Sequence, residues 1–124
     1  MKYPAWYGIG VGILMIAQWA FSILAGGVPE FQTAPWEIGF HLAAEMSTAL
    51  VLIIGGIAAL RSVPGSEQFL LLGLGMVIYS EIVSPGYFAQ LNQWGLVVMF
   101  VFLLFGAVWS AVQLLLAKPG RIRS

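Results

Sequence analysis

The chain has no cysteine, one histidine and very little charge. Without cysteine there is no disulfide, no thiolate metal site and no thiol nucleophile. The lone histidine, His41, argues against a bis-histidine haem within one chain. Charged residues make up 8% of the sequence, against about 25% in an ordinary soluble domain. The formal net charge is zero, and no basic run interleaved with aromatics is present, so nucleic acid is excluded as a partner. No Ser-His-Asp order, phosphate-binding loop or dinucleotide fingerprint occurs.

What the chain does have is apolar surface. Hydrophobic residues make up 60% of its 124 positions, and a chain this short has too little interior to hide them from water. The bilayer must serve as the outer part of the core. Four transmembrane helices are expected, at about Ala5–Gly26, Pro35–Leu60, Gln68–Ser84 and Leu91–Ala117. Crossing the hydrocarbon takes about 20 apolar residues. The first, second and fourth segments meet that length, and the third is short. Turn residues mark the connections: Gly26-Gly27-Val28-Pro29, Val63-Pro64-Gly65-Ser66 and Ser84-Pro85-Gly86. Short connections make successive helices antiparallel. The expected fold is an all-α membrane protein, one four-helix bundle running up-down-up-down over residues 1–124. Lys2 before an apolar run resembles a signal peptide, but the run exceeds the 7–15 residues of a cleaved core, so it reads as a retained helix.

The charges sort by side. Lys2, Arg61, Lys118, Arg121 and Arg123 fall at one end of the layout, with Glu67. Glu30, Glu37, Glu45 and Glu81 fall toward the other. Cations in short loops stay on the cytoplasmic side. Both termini are therefore expected in the cytoplasm, in a multi-pass protein of the cell (inner) membrane. Trp6, Tyr7, Trp36, Tyr87, Phe88 and Trp94 lie near span ends, as interfacial aromatics do. The basic stretch Lys118–Ser124 is expected to touch anionic lipid. Gly8, Gly10 and Gly12, Gly39 with Ala43, Gly55 and Gly56, Gly73 and Gly75, and Gly106 with Ser110 suit close helix packing, within the bundle or between copies.

Ionisable groups inside apolar helices are the functional candidates. His41 and Glu45 are four apart and share a helix face. Counted inward from Trp36, His41 lies roughly 7 Å deep and Glu45 roughly 13 Å deep. The third helix runs the other way and ends at Ser84-Pro85, so Glu81 lies one turn below the same surface, at about the depth of His41. Gln18 on the first helix lies near the depth of Glu45, and Tyr79, Ser80 and Ser84 accompany Glu81. The expected ligand or proton site is therefore His41, Glu45, Glu81, Gln18 and Tyr79.

Several chemistries fit that cluster. His41, Glu45 and Glu81 are a candidate site for a divalent metal. The cluster also suits a proton, a small ion or solute, or the polar end of a lipid. A His–Glu contact that ties helices together is the structural alternative, in an accessory subunit of a larger membrane complex. Partners expected on this reading are membrane lipid and either further copies of the chain or another membrane subunit.

His41-Leu42-Ala43-Ala44-Glu45 followed by Glu81 in the next helix resembles the membrane sterol isomerase and emopamil-binding family. The likeness covers roughly Phe40 to Gly86. It implies that Glu45 and Glu81 are proton donor and acceptor to a ring double bond, with His41 orienting one of them. Around the cluster, Pro35 suits the first turn of the second helix, with Thr33 as its cap and Glu37 at its positive start. Residues 84–90 are expected as an aromatic loop, anchored at the interface or lying as a lid over the cluster.

Overall fold

The computed structural model describes residues 2–117. Lys118, Arg121 and Arg123, and with them the lipid-touching tail, lie outside the described residues. The elements run α1 Tyr3–Leu24, α2 Glu30–Thr33, α3 Pro35–Leu60, α4 Ser66–Gln90 and α5 Trp94–Leu116. Among the described residues, four of these helices are long and apolar enough to cross a membrane. The protein is an all-helical, membrane-spanning bundle.

The three connections between long helices stop the preceding helix in the same way. Gly26, Ser62 and Asn92 each adopt a left-handed backbone. Their N–H groups, and those of the next residues, donate back to carbonyls of the last turn, which closes the helix end. Gly26 takes this conformation without steric cost. Ser62 and Asn92 take it with a side chain present.

Two expectations are corrected here. The third span is not short: α4 passes through Pro85 and stops at Gln90, held by the turn at Asn92. Residues 84–90 are thus helix, not loop or lid. Proline removes one backbone donor, but unwinding the chain in hydrocarbon would leave several groups unpaired, so the helix continues. Thr33 is not the cap of α3. It ends the short helix α2, and its hydroxyl donates back to the Pro29 carbonyl. Ala34 stands at the start of α3 with no side-chain cap, and Pro35 occupies the first turn as expected.

Glycines set the helix spacing. A Cβ at Gly12 would lie 2.8 Å from the Ala49 carbonyl oxygen, and one at Gly56 2.6 Å from that of Ala5. α1 and α3 therefore touch backbone to backbone. Gly55 meets the Leu70 backbone and Gly73 meets Leu52, which draws α4 against α3. Leu52, Leu70, Leu74 and Val77 fill the interior without exposure to the outside. α5 packs on α4 and closes against α1 along a thinner seam. Large apolar side chains such as Phe21, Phe40, Phe102 and Phe105 point outward, where lipid replaces a core.

The glycines that serve this packing are separable from those that do not. Gly56→Ala should destabilise the fold by about 1–3 kcal/mol, because the opposing atom is backbone. Gly10→Ala, with nothing within 4 Å, should be neutral or slightly stabilising. Thermal unfolding of both variants in detergent checks this.

Candidate functional site

The end of the bundle at which α1 and α4 stop and α3 and α5 begin, called here the acidic end, holds a cavity of about 380 Å³. All four long helices contribute to its wall. Val11, Leu14, Met15, Val77, Met99 and Leu103 supply apolar surface, while Glu30, Glu37, His41, Glu45 and Glu81 supply ionisable groups. No lysine or arginine lines it.

The helix extension through Pro85 changes the depth of Glu81. From Gln90 back to Glu81 is about 14 Å at 1.5 Å per residue, and from Pro35 to Glu45 about 15 Å. Glu81 therefore matches the depth of Glu45, not of His41, and the two carboxyls lie at one level of the cavity wall. Both are buried, Glu45 at 8% exposure and Glu81 at 2%. Pro85 has no N–H, so the Glu81 carbonyl also loses the donor four residues ahead that an unbroken helix would give it.

Glu81 is held by a residue that the sequence reading placed at the interface. Tyr7 turns inward, its ring lying over Gly106, where a Cβ would come within 2.7 Å of it. The Tyr7 hydroxyl donates to Glu81 Oε1 at 3.1 Å and also reaches the Leu103 carbonyl oxygen. A hydroxyl has one hydrogen. When Leu103 takes it, Tyr7 meets Glu81 through a lone pair, and only a protonated carboxyl has a hydrogen to offer. From α1, Tyr7 thus bridges Glu81 on α4 and the Leu103 carbonyl on α5. Glu81 Oε2 is buried with no partner.

Glu45 is held from α4. Ser80 Oγ donates to Glu45 Oε1 at 2.6 Å, and Ser84 Oγ lies 3.5 Å from Ser80 Oγ. His41 is half exposed, one turn nearer the mouth, with Nε2 3.9 Å from Glu45 Oε1. That is within reach of an ion pair but too long for a hydrogen bond. The imidazole packs edge-on against Trp19, with ring centroids 5.5 Å apart. At the mouth, the Tyr87 hydroxyl donates to Glu30 Oε1 at 3.1 Å, tying α2 to the end of α4.

His41, Glu45, Glu81 and Gln18 all line the one cavity. Tyr79 does not. It is 71% exposed on the opposite face of α4, two residues before Glu81, and a helix turns through about 200° over that interval. The metal site is also corrected. Among the described residues no group of three or more His, Asp or Glu is placed to hold an ion. Glu45 and Glu81 are drawn to hydroxyls on different helices, and His41 stands a turn away. Tyr7 was missed as a site residue. Its proximity to a span end suggested an anchor, and only Gly106, a hundred residues away in the chain on α5, makes room for it.

If the Tyr7 hydroxyl ties three helices together, Tyr7→Phe should lower stability by about 1–2 kcal/mol. Tyr79→Phe, at an exposed site, should change it little. Denaturant or thermal unfolding in detergent measures both.

No curated protein and no solved structure matches the chain. A family model described as "Domain of unknown function (DUF8058)" matches residues 1–124. The chain belongs to that family, whose residues span the whole bundle and its cavity.

Proposed function

We propose that this protein is a membrane-embedded binding protein whose cavity takes an amphipathic small molecule. The observation that carries the reading is the cavity itself: about 380 Å³ of mostly apolar wall, with two buried carboxyls at one level. Pockets for small organic ligands run from about 300 to 1,000 Å³, are largely apolar and hold a few convergent polar groups. Glu45 and Glu81 would receive the polar end of the ligand, and the apolar residues around them its chain. In this reading the cations mark the cytoplasmic side. The acidic end then opens in the outer half of the cell membrane. Acid–base conversion of the bound molecule by the two carboxyls is the enzymatic form of the same reading.

A second reading rests on a different observation. Both buried carboxyls bond hydroxyls on another helix, Glu45 to Ser80 and Glu81 to Tyr7. Bonds of this kind tie helices together in lipid, as an accessory subunit in a larger assembly would need.

Filling the cavity separates the two. Ser84 lines it and makes no backbone-holding bond. Ser84→Trp should abolish retention of a co-purifying amphiphile in native mass spectrometry, with the unfolding temperature nearly unchanged. Wild-type protein that retains no amphiphile, even after reconstitution with total membrane lipid, would sink the binding reading and leave the structural one.

A further inference from the structure

The cavity is one-sided in charge. Of the five acidic residues in the chain, Glu30, Glu37, Glu45 and Glu81 line it. Among the described residues the cations are Lys2 and Arg61, at the start of α1 and the end of α3, away from the acidic end. His41 is the one lining side chain that can carry positive charge. Such a wall rejects an anionic head group and favours a cation.

The hydrogen-bonding capacity is one-sided as well. Glu81 is 2% exposed, lines the cavity, and its Oε2 has no donor. Tyr7 and Ser80 each take one carboxyl oxygen, Glu81 Oε1 and Glu45 Oε1. A buried acceptor without a donor is the exception in folded proteins. What this part of the wall needs is N–H or O–H.

The walls continue the same preference. Phe88 stacks on Phe100 at 5.6 Å between centroids, Tyr87 meets Phe88 edge-on, and all three line the cavity. Aromatic faces attract a cation and tolerate a hydrocarbon chain.

We infer that the molecule the cavity takes is an alkylammonium amphiphile, its N–H groups donating to Glu45 and Glu81 and its chain lying against Met15, Trp19, Met99 and Phe100. An alkyl amine, like a lysine side chain with its pKa of about 10.4, is charged at neutral pH. It brings three donors where an alcohol brings one. This inference rests on the binding reading above and narrows it to one ligand class.

The test compares dodecylammonium, dodecanol and dodecyl sulfate, each radiolabelled, binding to the full chain in nanodiscs of phosphatidylcholine. The lipid is zwitterionic, so surface attraction is minimal, and empty nanodiscs give the background. Dodecylammonium should bind about tenfold more tightly than dodecanol, and dodecyl sulfate should not exceed background. Glu45→Gln and Glu81→Gln should each erase most of that preference while leaving dodecanol binding in place. Equal affinity of the wild-type chain for dodecylammonium and dodecanol overturns the cationic inference and leaves the cavity reading standing. Uptake of neither compound overturns the cavity reading itself. The wild-type comparison decides the matter even if a glutamine variant does not fold.

Discussion

A buried carboxyl has to be answered by something, and much of this structure is arranged around two of them. An unpaired buried charge costs several kcal/mol. Glu81 is met by Tyr7, and Glu45 by Ser80. Each partner belongs to a different helix from the acid it serves, so satisfying the carboxyls also sets how the helices stand. Tyr7 reaches Glu81 only because Gly106 lets its ring lie against α5. Four helices therefore share the work of holding two acids.

The two halves of the bundle are built on different principles. Toward the start of α1, glycines at 8, 12, 55, 56 and 73 bring backbones into contact, and Leu52, Leu70 and Leu74 close the interior. In lipid no hydrophobic force draws helices together, so close van der Waals packing has to do it. Toward the acidic end that packing gives way. The helices separate around the cavity, and short polar bonds across it replace interdigitated side chains. The tight half supplies the rigidity with which the open half can keep an incompletely satisfied wall. The same few helices thus form both the tight scaffold and the cavity wall.

The stretch around Pro85 shows how one local misreading moves a site. Proline followed by glycine ordinarily signals a turn, and a helix ending there puts Glu81 level with His41. The helix instead runs on to the left-handed stop at Asn92. Glu81 drops by about a turn and a half, level with Glu45, and out of reach of a shared ion with His41. Nothing local in the sequence distinguishes a proline that ends a helix from one that a surrounding bundle carries through. The distinction belongs to the environment: in hydrocarbon a continuous helix leaves fewer unpaired groups than a break does.

Hydropathy, turn residues and charge placement were sufficient for the class of this protein, its four spans and the convergence of His41, Glu45, Glu81 and Gln18 on one end. Those features depend on composition and on antiparallel alternation, which any chain with these segments must obey. The inward turn of Tyr7, the outward turn of Tyr79 and the common depth of the two acids were not available from the chain alone. They depend on helix rotation and on a glycine on a distant helix, and rotation is settled by which faces pack. A residue's position along a helix is a property of its sequence, but the direction its side chain faces is a property of its neighbours.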